Sequence, residues 1–177
     1  MLAEGSASNA EYILDWNKWV PSKCNIFVWR AVLNRIPTSN ALIRRGIMVG
    51  DGFCPLCKSD YESVDHLFTA CLFATVLWQK VSRWCRIPPI FAFSFKDLLE
   101  VYNSAHVNTT VRPIVHGILF SSAWCLWKAR NKALFSGVEV NVDCIFSEVK
   151  SLGFLWCKYR SRNSHISCSD WCNFSFM

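Results

Sequence analysis

What this chain has little of narrows it first. Acidic residues number 13 against 19 lysines and arginines, and none occurs between Trp16 and Gly50. The acids are scattered, so the grouped carboxylates that hold magnesium in phosphoryl-transfer enzymes have no counterpart. No apolar run reaches membrane-spanning length. The most apolar window, "IVHGILFSSAWCLW", is 14 residues long and contains His116, whereas a span needs about 20. The opening "MLAEGSASNAEY" carries acids and lacks the apolar stretch of a secretory signal. An intracellular protein, nuclear or cytoplasmic and without a membrane partner, is expected. Internal repeats, low-complexity blocks and convincing series of alternating strands are also missing, which leaves a mostly helical fold.

What is present can fill a core: 52% of residues are hydrophobic and 15% aromatic, a composition that argues against global disorder. The formal charge of +6 permits a polyanionic partner without demanding one. Ten cysteines in a chain with no secretion signal read as reduced thiols, and clustered ones as metal ligands. Cys24, Cys85, Cys125, Cys144 and Cys157 stand singly in apolar stretches and read as small core residues.

Along the chain, residues 1–15 have no strong pattern and read as a flexible lead-in. From Pro21, the residues Cys24, Phe27, Val28 and Ala31 recur at helical spacing, with Pro37 as a stop. Lys23, Arg30 and Asn34 fall on another face. "TSNALIRRG" predicts a short helix capped by Thr38 or Ser39 and ended by Gly46. "GDG" at 50–52 predicts a turn. Asp65 is expected to cap a helix that carries His66 and Cys71 and continues through Leu77, Trp78, Val81 and Trp84, until "IPPI" breaks it. A helix capped by Ser94 follows. A long helix ends at Gly137, with Pro113 a possible disturbance and Trp124, Trp127, Asn131 and Phe135 as a buried stripe. A last helix starts near Asp143, and the polar tail from Ser161 shows no period. The pattern divides into a lead-in (1–15), a first helical unit (16–87) and a helical extension (88–177).

The densest chemistry lies in "CPLCKSDYESVDHLFTAC". Cys54 and Cys57 are separated by two residues, and His66 and Cys71 by four. A tight turn aims two sulfurs to one side, and the second pair reaches one point from a helix or its frayed end. Thiolate and imidazole suit tetrahedral zinc. Four protein ligands close the shell and leave no place for an activated water, so one structural Zn²⁺ is expected rather than a catalytic one. A second ion on His165, Cys168 and Cys172 is disfavoured by irregular spacing and a distant fourth ligand.

Three thiolates, one zinc and a neutral imidazole sum to about −1, and Asp60, Glu62 and Asp65 add negative charge nearby. Any nucleic acid would therefore bind elsewhere. The candidates are Lys23, Arg30, Arg35, Arg44 and Arg45 upstream, with Lys18 beside them, and Lys128, Arg130 and Lys132 as a second cluster. The commoner fate of such residues is a solvated helix face.

"WVPSKCNIFVWRAVLNRIPTSNALIRRGI" followed by "CPLCKSDYESVDHLFTACLFATVLW" resembles the zinc-binding reverse transcriptase domain that lies downstream of the polymerase in plant non-LTR, LINE-type retrotransposons. Trp19, Pro21, Lys23, Phe27, Trp29, Pro37, Thr38, Leu42, Arg44, Arg45 and Gly46 match the family pattern before the finger. Cys54, Cys57, His66 and Cys71 form the finger, and Trp78 trails it. "WCLWKARNKALFSG" is similar to a stretch that often follows. Cys24 departs from the family, which often carries a branched apolar residue there. The resemblance implies a non-catalytic, zinc-stabilised module that aids RNA or DNA binding next to a reverse transcriptase core, itself an RNA-directed DNA polymerase. No Tyr-x-Asp-Asp-like motif occurs in this chain, so no catalysis of its own is expected. The alternatives are an architectural module docking on the polymerase body, an inactive retroelement remnant, or, ranked lower, a hydrolase using His116 or His106.

Overall fold

A computed structural model of the chain describes residues 13–47, 50–104, 106–161 and 165–175. The described α-helices are α1 Ser22–Val32, α2 Ser39–Ile43, α3 Leu72–Cys85, α4 Phe95–Glu100, α5 Arg112–Ser136, α6 Val142–Arg160 and α7 Cys168–Asn173. A π-helical turn, His66–Ala70, precedes α3, and a 3-10 turn, Val101–Asn103, follows α4. Among the described residues the only extended pairing is one antiparallel bridge between Phe53 and Tyr61. The protein is mostly α, as the sequence pattern predicts.

The axis of the fold is α5. From Ile114 to Ala123 it is buried on every side, so its apolar residues show no single face. α1 lies against it with Cys24, Phe27, Val28 and Ala31 turned inward, the residues that the helical spacing selects. α6 folds back along α5 and also reaches α3. Lys128 pairs with Glu148 across the α5–α6 hairpin, and Lys80 with Asp143 at 2.7 Å between α3 and α6.

The segment before α1 is bolted to the start of α5. The Trp19 indole N–H and the Asn17 amide both donate to the Pro113 carbonyl, at 3.1 and 3.0 Å. Asn17 and Asn25 exchange two further bonds, at 2.9 and 3.1 Å. Gly117 permits this approach: a Cβ there would lie 2.1 Å from the Trp19 ring. One hydrophobic core runs from Leu14 to Phe174 and draws on every helix except the short α2. The zinc-binding half and the C-terminal half thus pack together. Residues 1–12 of the expected lead-in lie outside the described residues. Within 13–15, Leu14 is buried and Asp15 accepts a bond from the Tyr102 hydroxyl at 3.3 Å.

Several local expectations need correction. Pro113 falls in the first turn of α5, where no intrahelical N–H bond is lost, so it disturbs nothing. Asp65 does not cap a helix. Ser63 accepts the His66 N–H at 3.0 Å, and Asp65 accepts the Phe95 N–H at 2.8 Å, which ties α4 to the finger loop. The helix expected to carry both His66 and Cys71 is interrupted, because Cys71 has extended backbone (ψ 136°) and α3 starts afresh at Leu72. Of the Trp124–Phe135 stripe, only Trp127 is buried; Phe135 is 74% exposed. Cys144 is exposed, whereas Cys24, Cys85, Cys125 and Cys157 are buried. The tail contains α7, started by a capping box between Ser167 and Asp170. It is anchored by Trp171, whose indole donates to the Lys150 carbonyl at 2.8 Å and whose carbonyl accepts from Trp84 at 3.0 Å. The Ser-x-x-Asp spacing in "SCSD" was the available signal.

Candidate metal centre

The loop between α2 and α3 is shaped before any ligand is considered. Gly52 has φ +83°, and a Cβ on it would lie 3.1 Å from Ile43 and 3.4 Å from the Tyr61 ring. Only glycine suits both the angle and the space. The Phe53–Tyr61 bridge closes the loop base with stacked rings, centroids 4.8 Å apart. Inside it, Lys58 N–H donates to the Cys54 carbonyl and Cys54 N–H to the Asp60 carbonyl, each at 2.8 Å. On the far side the π-turn carries His66, and the Cys71 N–H closes it on the His66 carbonyl at 2.7 Å.

The result is one tetrad. The ligand atoms of Cys54, Cys57, His66 and Cys71 all lie within 4.8 Å of one another. The Cys54 and Cys71 sulfurs are 3.9 Å apart, and the Cys57 sulfur is 3.3 Å from His66 Nε2. A tetrahedron of zinc bonds about 2.0–2.3 Å long has edges of about 3.3–3.8 Å, so these separations match a common centre. The sulfurs also need a cation. The hydrogen bond between Cys54 and Cys71 draws the Cys54 thiol down and pushes the Cys71 thiol far up. Both become thiolates together only when a positive ion sits between them. His66 supplies a further sign. Its Nδ1 is buried without a hydrogen-bond partner, and Asp60 Oδ2 lies 3.7 Å away. With Nε2 on the metal, the proton sits on Nδ1 and faces that carboxylate, the usual outer partner of a ligating histidine.

All four positions are filled by protein, so the centre fits one structural zinc. The bound ion would supply the divalent charge that lets three thiolates coexist. Among the described residues, no other grouping of His, Cys, Asp or Glu has ligating geometry. Elsewhere, burial pushes Cys24 up to about 11 and Cys125 up to about 12, which leaves them inert thiols.

One functional pair was missed at the sequence level. Glu62, between the two ligand pairs, is 0% exposed, and Arg130 of α5 is 1% exposed. Arg130 Nε and Nη2 donate to the two Glu62 oxygens, each at 2.6 Å. Glu62 Oε2 also accepts from the Ser39 N–H and hydroxyl at 2.6 and 2.8 Å. This node joins α2, the finger loop and α5. It withdraws Arg130 from the set of phosphate candidates, because both its exposure and its donors are spent internally. Lys128 pairs with Glu148, and Lys132 is exposed. Upstream, Lys23, Arg30, Arg35, Arg44 and Arg45 are all exposed. His116 stacks on Tyr102 at 4.1 Å, and burial lowers its pKa to about 4.

A closed Cys₃His tetrad on a helical scaffold defines a zinc-stabilised helical module. Residues 1–78 match the family model described as zinc-binding in reverse transcriptase, a stretch that contains the whole tetrad. No curated protein matches this chain, and no solved structure does. No helix among the described residues is long and apolar enough to cross a membrane.

Proposed function

We propose that this chain is a non-catalytic module that holds RNA or DNA beside a reverse transcriptase core, as the plant LINE-type resemblance implies. The observation that carries the reading is the distribution of charge. Lys23, Arg30, Arg35, Arg44 and Arg45 are exposed, and among the described residues no ion pair involves them. Of the finger's acids, Glu62 is turned inward to Arg130, while Asp65 accepts the Phe95 N–H and Asp60 lies beside His66, both still exposed. Zinc fixes the loop, the loop and the Glu62 node fix α2, and α2 leads directly into Arg44 and Arg45.

Binding of this kind is sequence-tolerant and weakens with salt. Replacing Arg44 and Arg45 by alanine is expected to weaken RNA binding and to reduce its salt dependence by about two phosphate contacts, with the melting temperature unchanged. Unchanged affinity at low salt would show that the chosen face is wrong.

A second reading has its own observation. Phe91 and Phe93, on the connection between α3 and α4, are 82% and 97% exposed. Such a patch suits docking on a polymerase body. Gel filtration separates the two readings: self-association with no shift on adding RNA favours docking.

A further inference from the structure

A cleft of about 350 Å³ lies between α1, the residues leading into α2, and the C-terminal half of α5. Its volume is at the small end of the range for ligand pockets. The floor is aromatic and braced. Phe27 meets Trp124 edge-on at 5.4 Å and Trp127 at 5.6 Å. Phe135, three-quarters exposed, also lines the cleft. Arg130 also lines the cleft; its guanidinium lies 4.8 Å from the Trp127 ring centre and is held there by Glu62.

The rim is cationic. Lys23 Nζ sits 5.7 Å from the Trp124 ring centre, and Arg30 lines the same cleft. No carboxylate lines it, and Arg130 is neutralised from behind by Glu62. The two rim charges therefore stand uncompensated. Asn131 lines the cleft too; its Oδ1 accepts from Arg130 Nη1 at 2.9 Å, which fixes the amide plane and leaves the NH₂ as the donor end. The exposure of Phe135 at the end of the Trp124–Phe135 stripe follows from this cleft. Trp124 and Trp127 rest on Phe27, whereas Phe135 extends the same helical spacing over an open recess.

We infer that this cleft receives an unstacked base of a single-stranded nucleic acid, with its flanking phosphates on Lys23 and Arg30. Flat aromatic faces beside uncompensated cations are the features that bind single strands with little sequence preference. A purely apolar occupant would leave the rim charges unanswered. The inference rests on the nucleic-acid reading proposed above and adds the ligand class and the place.

The test uses the zinc-loaded chain and fluorescence anisotropy with labelled single-stranded RNA, single-stranded DNA and duplex of equal length. Phe135→Ala truncates an exposed ring, so the fold is retained. It is expected to weaken single-strand binding by about fivefold or more and to leave duplex affinity and salt dependence unchanged. The loss is expected on RNA and DNA alike, because rings and phosphates are common to both. Arg44→Ala/Arg45→Ala should instead weaken single strand and duplex together. If Phe135→Ala binds single strands as the wild type does while the arginine variant is weakened, the base site is overturned and the phosphate face survives. If the wild-type chain binds neither strand at low salt, both readings fall.

Discussion

Replacing Arg130 by methionine puts the most consequential interior contact under test. The substitution keeps length and apolar bulk but removes both donors to Glu62, leaving a carboxylate with no exposure facing only Ser39. Stripping one partner from a buried ion pair costs about 3–5 kcal/mol, because the remaining charge is uncompensated. Domains have totals of about 5–15 kcal/mol. At about 2–4 °C per kcal/mol for a chain of this size, the melting temperature should fall by about 6–20 °C. Lys128→Met is the matched control. It removes the partly exposed pair with Glu148 across the α5–α6 hairpin and should cost less than about 1 kcal/mol. Urea denaturation with fluorescence detection reads both, provided the m-value is unchanged. The double variant Glu62→Gln/Arg130→Met should recover about 1–3 kcal/mol of the loss, since a neutral amide tolerates burial and still accepts from Ser39. An Arg130→Met cost no larger than that of Lys128→Met would refute the reasoning, for it would mean that the pair is solvated in solution.

Two other outcomes are expected. One zinc per chain should appear in native mass spectrometry and disappear in Cys57→Ala; its removal should expose the 54–71 segment to proteases, because zinc supplies about 10–16 kcal/mol in comparable small sites, and an equally resistant metal-free chain would contradict this. His116 is held neutral by burial, against the weaker opposing pull of Asp15 and Glu100, with its pKa lowered from 6.5 to about 4. The unfolded chain takes up that proton first, so the contribution is complete above pH 6.5 and is lost as pH falls toward 4, about 3 kcal/mol in all. The wild type should lose this much more stability than His116→Phe across that window, and parallel curves for the two proteins would refute the assignment.

The tetrad was legible because its grammar is local. Two cysteines in a turn and a His–Cys pair after it declare a ligand set within 18 residues, and the apolar spacing of α1 declares a face in the same way. The Glu62–Arg130 node was not legible. Its partners are 68 positions apart, and each, read alone, is an ordinary surface charge; only the packing of α5 against the finger loop converts them into an interior pair. The tail failed differently. Its capping box was visible in "SCSD", but a six-residue helix offers too short a period to register, and its stability comes from Trp171 lodging against α6 and Trp84. The stripe on α5 was read correctly as a period and wrongly as burial, since spacing specifies a face without saying what stands opposite it.

The π-turn from His66 to Ala70 has a consequence for how this module can vary. Its carbonyl-to-amide closure spans five residues, and the break at Cys71 sets the direction in which α3 departs. Each residue of a helix turns about 100°. Deleting one position between the histidine and the last cysteine would swing the inward edge of α3, with Leu77, Trp78 and Val81, a quarter turn or more off the interior. The count of four between those ligands is therefore a phasing device: the ion and the hydrophobic interior are geared to each other, and neither tolerates a slipped tooth.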